Sequence, residues 1–598
     1  MQVIATAGHV DHGKSTLVRV LTGMEPDRWA EERRRGMTID LGYAWMSLPS
    51  GEEIAFVDVP GHERFATNML AGVGPVPAVL LVIAADEGWS AQTEDHVRAL
   101  DALGVGHGVV AVTKSDLADP AAAIEQASDL LSATTLAGIP AVSVSGQTGT
   151  GLDALRIALD ALIRRLPVPN PDARVRLWVD RSFTVHGSGT VVTGTLGSGT
   201  LRRGDVLELG DAMVTVRGLH RLGQPAEAVT APARVAVNLR NVPHEDVRRG
   251  DTLLTPGAWR TTTVVDVRLG GLGAPSHATL HIGAAAVPVR VRRLDAVTRP
   301  ASPIVRLLLD TALPLEIGDR LLLRDPGRRQ VVGGATVLDP APPSLRRRGA
   351  AKIRAASLAT ELGQPDVSAE VGRRGAVSRS LLMAIGVPVG ATLPPGVIAT
   401  GSWLVSRQRW EEWRCGLQAA VERRPAALLD AGASHADLAR ALMLDDPQLV
   451  AALARTCPDL EDNGGRVRKR GHAPALRPDL EQAVARLVGS LQAAPFAAPE
   501  RQRLVALGLG RRELGAAAAA RAILLLPGDI ALLPTAPRDA AARLGELSQP
   551  FTLSSARQAL GTTRRVAVPL LEHLDRIGIT ERLDGDLRRL RVPAPAGG

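Results

Sequence analysis

The fold of this chain is decided by the stretch Gly8-His9-Val10-Asp11-His12-Gly13-Lys14-Ser15. The apolar run 3–7 before it is typical of a buried strand, and residues 16–21 after it have the pattern of a helix. In the pattern G-x-x-x-x-G-K-[ST], the glycines let backbone N–H groups surround a phosphate, the lysine reaches the terminal phosphates and the hydroxyl can bind Mg²⁺. The predicted nucleotide contacts are Val10, Asp11, His12, Gly13, Lys14, Ser15 and Thr16.

Three later segments carry the other parts of a guanine-nucleotide switch, in the order that such a switch needs. The run 54–57 ends in Asp58-Val59-Pro60-Gly61, where the Asp58 carboxylate can hold Mg²⁺ and the Gly61 N–H can sense a γ-phosphate. The run 109–112 continues into Thr113-Lys114-Ser115-Asp116, where Asp116 would accept two N–H groups of guanine and the Lys114 stem would pack along the base. The run 141–144 leads to Ser145-Gly146, whose backbone amide can meet the guanine O6. Because adenine would present a mismatched edge to Asp116, the pattern predicts GTP rather than ATP.

Lysine usage gives independent support for this site. Of the 70 basic residues only four are lysines, namely Lys14, Lys114, Lys352 and Lys469. Two of the four occupy positions where a nucleotide site needs a compact ammonium rather than a planar guanidinium.

Length and composition predict a large multidomain cytoplasmic protein. At 598 residues and 45% apolar content, about four domains or more are expected. We expect no signal peptide and no membrane association, since a strand pattern begins at residue 2 and no apolar run reaches the roughly 18 residues of a span. Cys415 and Cys457 lack metal-ligand spacing and are expected to be buried thiols in a reducing compartment. We expect a monomer.

The chain resembles the translational GTPases of the elongation factor Tu family in three motifs. These are residues 8–16 (GHVDHGKST), residues 35–40 (RGMTID) and residues 58–65 (DVPGHERF). The resemblance implies that Thr38 closes on Mg²⁺ and the γ-phosphate, together with Ser15 and Asp58 on the metal. It also implies that His62 positions the attacking water once a ribosome engages. The family's N-K-x-D motif reads Thr113-Lys114-Ser115-Asp116 here, so Thr113 replaces only part of the asparagine's hydrogen bonding.

After the linker 166–171 the pattern changes to short strands separated by Gly and Asp turns, which predicts β-barrels. The run 176–183 and the runs 189–195 and 205–209 are the clearest strands, and a second β-rich block follows from about residue 261 to 338. Residues 180–196 resemble the second domain of the same elongation factors. The family resemblance implies that the two barrels hold the acceptor arm of an aminoacyl-tRNA.

The last third of the chain differs in charge and pattern. Residues 1–340 carry 34 basic and 37 acidic groups, whereas residues 341–598 carry 36 and 25, which indicates a nucleic-acid partner. Residues 553–560 and 563–576 are predicted helices, with Thr562 as the cap between them and a hairpin around residues 584–586. This order predicts a winged helix. Similar units lie at 437–470 and 501–534, with a degenerate one around 345–405, which favours a tandem array.

A barrel-bearing GTPase followed by winged helices resembles the bacterial selenocysteine-specific elongation factors, most strongly through residue 340 and at 551–592. The resemblance implies delivery of selenocysteinyl-tRNA to the ribosome at UGA codons, with the C-terminal unit binding an mRNA hairpin. Arg564 and Arg565, at the start of the last helix, are the predicted mRNA contacts. The expected fold is an α/β P-loop GTPase domain, two β-barrels and tandem winged-helix domains. The predicted bounds are 1–168 for the GTPase domain, 172–258 and 261–339 for the barrels, and 344–406, 407–472, 473–538 and 545–593 for the winged helices.

Cargo selection is predicted from the acidity of the selenol. A selenol is more acidic than a thiol, whose pKa is about 8.5, so selenocysteine is an anion at pH 7 while serine and cysteine are neutral. By position in the resembled family, Arg181 and Arg234 are the expected anion-binding residues, with Asp40 near the same interface. The alternative is that these residues form ordinary interdomain salt bridges.

Two other functions stay open at this point. One is a general aminoacyl-tRNA carrier, or another translational GTPase, with unrelated appended domains. The other is a GTP-regulated protein whose winged helices bind DNA, although that function leaves the two barrels unexplained.

Overall fold

The computed structural model describes residues 1–26, 38–62, 65–74, 76–185, 189–270, 275–294, 302–328, 330–423, 428–430, 432–471, 475–583 and 586–591. The predicted motif residues 35–37, 63 and 64 and the wing-turn residues 584 and 585 lie outside this set. The chain forms two compact units, residues 1–404 and residues 405–598.

The first domain is an α/β layer structure built on a six-stranded sheet. Its strands are β1 Gln2–Ala7, β2 Gly42–Ser47, β3 Glu53–Asp58, β4 Ala78–Ala84, β5 Gly108–Thr113 and β6 Ala141–Ser143. The central strands are apolar on both faces because helices cover both sides of the sheet. The strand order in the sheet is β2-β3-β1-β4-β5-β6, and β2 is antiparallel to the otherwise parallel sheet. The helices are α1 Lys14–Thr22, α2 Ala66–Val73, α3 Ala91–Leu103, α4 Ala121–Leu131 and α5 Leu152–Ile163.

Two antiparallel barrels follow in the same unit. In the first, six strands close a ring, since Val206–Leu209 pairs with both Thr252–Leu254 and Ala212–Arg221. Its other strands are Arg176–Trp178, Arg181–Val185, Gly189–Leu196, Thr200–Arg202, Gln224–Ala226, Ala228–Thr230 and Ala233–Arg240. The single strand predicted at 176–183 is wrong, because the chain breaks after Trp178 and resumes at Arg181. The second barrel is closed by Thr261–Leu269, His277–Ile282, Ala285–Arg293, Ile304–Pro314, Arg320–Arg324 and Val331–Asp339.

The segment after the second barrel is attached to it by buried charges. Asp266 and Asp339 are completely buried on barrel strands. Arg306 and Arg354 both bind Asp266, and Arg354 and Arg374 both bind Asp339. Arg354 belongs to the helix Ala350–Leu358, and Arg374 ends the next helix. The remaining elements of this segment are the helices Val367–Arg374 and Arg379–Ala384 and the strands Ala376–Ser378, Val397–Thr400 and Trp403–Ser406.

The second unit repeats a helix–helix–hairpin order. Its hairpins are Leu460–Asp462 with Arg466–Lys469, Leu524–Leu526 with Ile530–Leu532, and Thr580–Arg582 with Leu587–Leu590. Its helices are Arg407–Glu422, His435–Leu442, Gln448–Arg455, Pro478–Ala493, Arg501–Ala506, Arg511–Ala519, Ala536–Gly545, Leu553–Ala559 and Arg564–Arg576. The short strands Leu429–Asp430, Ala433–Ser434, Ala475–Leu476 and Phe551–Thr552 complete the sheets. The α/β domain, the two barrels and the C-terminal winged helix of the expected fold are confirmed, while the winged-helix bounds stay predictions.

Side-chain hydrogen bonds attach the last hairpin to the helix that precedes it. Asp575 accepts hydrogen bonds from the Thr580 hydroxyl (2.6 Å) and from Arg588 Nε (2.9 Å), so the wing is held against the helix that precedes it. The predicted cap Thr562 is wrong: Thr563 is the N-cap, and the Thr562 hydroxyl donates instead to the Phe496 carbonyl at 2.5 Å. The reason is that Thr562 is hydrogen-bonded to a loop far earlier in the chain, and a contact of this kind leaves no periodic signal in the sequence.

The two cysteines differ in exposure. Cys457 is buried as expected, but the expectation for Cys415 is wrong, because it lies exposed on the helix Arg407–Glu422. Among the residues that the structure describes, no helix is both long enough and apolar enough to cross a membrane.

We expect Arg354→Ala to loosen the second barrel where the following helix attaches. The change leaves two buried carboxylates short of a partner, and breaking a buried ion pair in this way costs about 3–5 kcal/mol. Hydrogen exchange of the strand Val331–Asp339 would measure the loss of protection. Arg260→Ala, which removes an exposed arginine just before the strand Thr261–Leu269, is the control and should leave exchange unchanged. Equal exchange in the two variants would contradict the expectation.

Candidate functional site

The phosphate loop spans the carboxyl end of β1 and the start of α1. Gly13 has a φ of 78°, in the left-handed region that favours glycine, and it is the residue from which α1 begins. Lys14 is buried, and its Nζ donates to the carbonyls of Gly8 (3.0 Å) and His9 (2.7 Å). The ammonium therefore lies across the mouth of the loop at the N-terminus of a helix, where backbone N–H groups and the helix dipole favour an anion.

The three residues predicted to hold a metal lie in one cluster. Ser15 Oγ donates to Asp58 Oδ2 at 2.7 Å, and it lies 2.9 Å from Thr38 Oγ1. The fully buried Asp58 carboxylate also accepts from the Thr6 hydroxyl at 2.6 Å. The set consists of hard oxygen donors, two hydroxyls and one carboxylate, which is the donor chemistry that suits Mg²⁺.

Gly61 approaches the phosphate loop directly. A Cβ added at Gly61 would lie 2.7 Å from Val10 N and 2.8 Å from Lys14 Nζ, so only glycine fits without displacing the loop. The next residue, His62, is half-buried, and its ring packs at a tilt on Phe65 with 6.1 Å between centroids. The residue that follows the glycine thus projects from the same edge of the sheet as the phosphate loop.

The predicted base-binding residues lie on the loops after β5 and β6. These loops are joined by a backbone hydrogen bond from Ser115 N to Val144 O (3.3 Å). Asp116 is exposed, and the buried Ser145 hydroxyl accepts from the N–H groups of Gln147 and Thr148, which shapes the second loop. Gly146 lies beside Thr16, so this loop borders the start of α1.

Thr113 and Lys114 show how the altered base motif is built. The Thr113 hydroxyl donates to the carbonyl of His12 at 2.8 Å, which ties the base loop to the phosphate loop. Lys114 Nζ pairs with Asp86 (3.1 Å) and Glu87 (2.7 Å) on the loop after β4. Burial lowers the pKa of Lys114, but these two carboxylates outweigh it and raise that pKa above its usual value. The Lys114 side chain is thereby held against the loop after β4.

Two buried histidines support the phosphate loop, and the sequence patterns did not single out His96 at all. Gly8 N donates to His96 Nδ1 at 3.0 Å, and burial lowers the pKa of His96 to about 3. His12, a predicted nucleotide contact, is also buried, with Nδ1 3.2 Å from the Val82 carbonyl, and burial lowers its pKa to about 4. Both imidazoles are therefore neutral at pH 7, so His96 can act as a hydrogen-bond acceptor.

Arg181 and Asp40, predicted from the resemblance, are in contact. Arg181 Nε donates to Asp40 Oδ2 at 3.1 Å, and Arg181 also binds the Leu41 carbonyl. Arg249, which sequence reasoning missed, donates to the other oxygen of Asp40 at 2.7 Å and to Asn68 at 2.5 Å. Burial alone would raise the pKa of Asp40, but the two arginines lower it, so this carboxylate stays ionised.

Arg234 is linked to Arg181 through Tyr43, the only tyrosine of the chain. The guanidinium carbons of Arg234 and Arg181 lie 4.0 and 5.0 Å from the centroid of the Tyr43 ring. Arg234 also binds both oxygens of Asp180, a buried residue on the first barrel. Burial alone would lower the pKa of Arg234, but the Asp180 carboxylate raises it well above its usual value.

A cavity of about 360 Å³ opens beside this arginine pair. It lies between the α/β domain and the first barrel, with Arg181, Arg234 and Tyr43 on one part of its wall and His220 and Phe183 on another. Both arginines already have carboxylate partners, as the salt-bridge alternative expected, yet both also line the cavity. The arrangement can therefore offer two guanidinium groups to a small anionic group that enters it.

In the second unit, Arg564 and Arg565 differ in their surroundings. Both side chains are exposed at the start of the last helix. Arg565 donates to the carbonyls of Ala498 (2.7 Å) and Pro499 (3.1 Å), whereas Arg564 has no partner among the described residues. The Arg564 guanidinium is therefore available to an anionic ligand, whereas that of Arg565 is already hydrogen-bonded to the loop before residue 501.

Four family models match the chain in the order of its domains. They are the elongation factor Tu GTP-binding domain over residues 1–167, elongation factor Tu domain 2 over 189–254, the β-barrel domain of selenocysteine-specific elongation factors over 270–344, and the winged helix of elongation factor SelB over 542–590. The last two are models of selenocysteine-specific elongation factors rather than of elongation factor Tu.

Curated relatives match about three fifths of the chain, and the chain spans about three fifths of the length of the selenocysteine-specific relatives it matches. The selenocysteine-specific elongation factor of Escherichia coli K12 is 39% identical over 388 residues, which are 63% of this chain and 62% of the relative. That of Desulfomicrobium baculatum is 36% identical over 58% of this chain and 57% of its own length. Elongation factor Tu 2 of Streptomyces avermitilis is 34% identical over 374 residues, 56% of this chain and 95% of the relative.

A solved structure matches the whole architecture. The crystal structure of a bacterial selenocysteine-specific elongation factor, EF-Sec, superposes with a TM-score of 0.75 at 25% identity, covering 99% of this chain and 100% of that one. SelB from Methanococcus maripaludis with a GTP analogue shares the fold over 57% of this chain and 79% of its own, with a TM-score of 0.51 and 23% identity. The chain belongs to the elongation factor Tu family of translational GTPases, and its domains group it with the selenocysteine-specific elongation factors of that family.

Proposed function

We propose that this protein delivers selenocysteinyl-tRNA to the ribosome at UGA codons, hydrolysing GTP as it does so, and that its last winged helix binds an mRNA hairpin. One observation carries the proposal: the segment 38–43 contacts both the nucleotide site and the arginine-lined cavity. Thr38 lies on Ser15 in the metal cluster, Asp40 binds Arg181 and Arg249, and Tyr43 lies under both cavity arginines. A change at the γ-phosphate would therefore move the residues that shape the cavity.

GTP and Mg²⁺ would occupy the phosphate-loop site. Lys14 would turn from the Gly8 and His9 carbonyls to the β- and γ-phosphates, while Ser15, Thr38 and Asp58 supply oxygen donors for the metal. Bound Mg²⁺ would neutralise charge that develops on the phosphates during hydrolysis. Gly61, packed on Val10, would present its N–H to the γ-phosphate, and Asp116 would select guanine.

Cargo selection would follow from charge in the cavity. A selenolate entering beside Arg181 and Arg234 would receive charge-assisted hydrogen bonds, which are about twice as strong as neutral ones. A serine hydroxyl carries no charge and would leave the guanidinium groups with Asp40 and Asp180 alone. The pocket would therefore favour the anion over neutral side chains of similar size.

We expect the wild-type protein with GTP and Mg²⁺ to bind selenocysteinyl-tRNA more tightly than seryl-tRNA on the same tRNA body. Because a hydrogen bond to a charged group contributes about 1.5–3 kcal/mol, Arg234→Ala should reduce that preference about tenfold to a hundredfold. Filter binding measures both affinities. Arg240→Gln, an exposed arginine at the end of the same strand, should keep the preference. Equal wild-type affinity for the two tRNAs would favour a general aminoacyl-tRNA carrier and exclude the proposed pocket.

His62 would act only when the ribosome positions it. Unassisted switch GTPases hydrolyse GTP at about 10⁻⁴ s⁻¹, and a stimulation of about 10⁵-fold corresponds to roughly 7 kcal/mol of barrier. We expect His62→Ala to bind GTP normally but to lose ribosome-stimulated turnover. Single-turnover GTP hydrolysis with and without ribosomes would measure this. Full stimulation of the variant would remove His62 from the catalytic role.

The last winged helix would bind RNA through its exposed arginines. An α-helix cannot read the narrow major groove of A-form RNA, so Arg564 would contact the backbone or splayed bases of a hairpin loop. We expect Arg564→Ala to weaken binding of an mRNA hairpin and to lower the salt slope by about 0.7–0.9, since one phosphate contact is lost. Fluorescence anisotropy at several salt concentrations would measure both. Arg576→Ala, at the opposite end of the same helix, is the control, and tighter binding of duplex DNA than of RNA hairpins would favour the DNA-binding alternative instead.

A further inference from the structure

A cluster of unpaired basic side chains lies where the second barrel continues into the following helix. We name it the linker basic surface and define it as Arg290, Arg292, Arg346, Arg347, Arg348 and Lys352. All six side chains are exposed. Within the described part of the chain, none of the six makes an ion pair or a side-chain hydrogen bond, whereas the neighbouring Arg306, Arg354 and Arg374 are tied to buried carboxylates.

The segment that carries four of these charges is fixed on the barrel. Arg306 Nη1 donates to the Pro343 carbonyl at 2.8 Å, and Leu345 packs with Leu294 and Ile304 in a small apolar cluster. On the other side of the arginine run, Arg354 binds Asp266 and Asp339. Arg346, Arg347 and Arg348 are therefore held between two anchored points, and ordering them on a ligand would cost little backbone entropy.

The barrel supplies the other two charges on the same side. Arg292 is the register partner of Arg306 across neighbouring strands, so its side chain lies on the outer face that the Pro343 segment covers. Arg290 lies two residues earlier on that face. The nearest described acidic residue on this strand pair is the exposed Asp310, which follows Leu309, the register partner of Val289, and so lies beyond Arg290. The surface is positive although residues 1–340 as a whole carry more acidic than basic groups.

The chemistry of the surface indicates a phosphate backbone rather than bases or a small molecule. Residues 341–352 contain four basic residues, no acidic residue and no aromatic residue. This segment therefore lacks the aromatic stacking platforms on which single strands are usually bound. Exposed guanidinium and ammonium groups instead match the regularly spaced phosphates of a double-helical RNA.

We propose that the linker basic surface binds the phosphate backbone of a helical arm of the cargo tRNA. The inference rests on the proposed function, because it takes the cargo to be a tRNA held by the barrels. The surface continues directly from the second barrel, so a tRNA lying on that barrel would reach it without a further domain. The contact reads no sequence; it adds affinity for the tRNA body and leaves the choice of amino acid to the cavity.

The test uses the full chain with GTP and selenocysteinyl-tRNA. Filter binding over a range of KCl concentrations compares wild type with the combined variant Arg346→Gln, Arg347→Gln and Arg348→Gln. Each phosphate contact contributes about 0.7–0.9 to the slope of log affinity against log salt, so the variant should have a slope smaller by about 2 to 3. The preference for selenocysteinyl-tRNA over seryl-tRNA should be unchanged. The control variant Arg98→Gln, Arg156→Gln and Arg164→Gln removes two exposed arginines and the half-buried Arg156, all with acidic partners, and it should keep the wild-type slope.

The outcomes separate this inference from the function on which it rests. A wild-type slope in the arginine-run variant would overturn the inference and leave the proposed function standing. Failure of the wild-type protein to bind either tRNA would overturn both. If tRNA binding is unchanged but the variant needs more ribosomes for stimulated GTP hydrolysis, the surface binds ribosomal RNA and the inference is wrong.

Discussion

The buried carboxylate of Asp58 is the constraint on which the switch site depends. A buried charge is tolerated only when its oxygens are hydrogen-bonded, and here the donors are Thr6 on β1 and Ser15 on α1. Thr6 in turn accepts the Val59 N–H at 3.1 Å, so the carboxyl ends of two neighbouring parallel strands are joined. This junction brings the phosphate loop, the glycine after β3 and Thr38 to one edge of the sheet. That edge is where ligands bind in parallel α/β sheets.

A short piece of chain then connects this junction with the first barrel. Besides its pairing with β3, the segment from Thr38 to Tyr43 contacts several parts of the unit: Ser15 in the phosphate loop, Asn68 in α2, and Arg181, Arg249 and Arg234 in the barrel. Because these partners lie on separate elements, a shift at one end of the segment would disturb contacts at the other. Such a two-ended segment is a physical route by which the state of a nucleotide can reach a cargo site.

Arginine side chains have three different roles in this protein, and the surroundings of each side chain determine its role. Arg354 and Arg306 neutralise buried aspartates and hold one domain to the next element. Arg234 has the same type of partner but also borders a cavity, where a competing anion can reach it. Arg346–348 and Arg564 have no acidic partner among the described residues and face solvent, which suits a polyanion. A planar guanidinium with five hydrogen-bond donors suits all three roles, and the small number of lysines in the chain is consistent with this versatility.

Short patterns in the amino-acid sequence were enough to predict the elements whose signal is local. The phosphate loop, the D-x-P-G turn, the base loops and the helix–helix–hairpin order follow from short patterns, because glycine turns, buried runs and capping depend on near neighbours. Which charged side chains pair with each other follows from the packed fold alone. Arg249 and Asp40 are 209 residues apart, and Arg234 and Asp180 are 54 apart, and no periodicity encodes such pairs. The same reason explains Thr562, which binds a loop 66 residues away, and His96, which holds Gly8 from 88 residues away. Pairings of this kind are fixed by how strands and helices pack, and packing energy depends on the whole core rather than on any one stretch of chain.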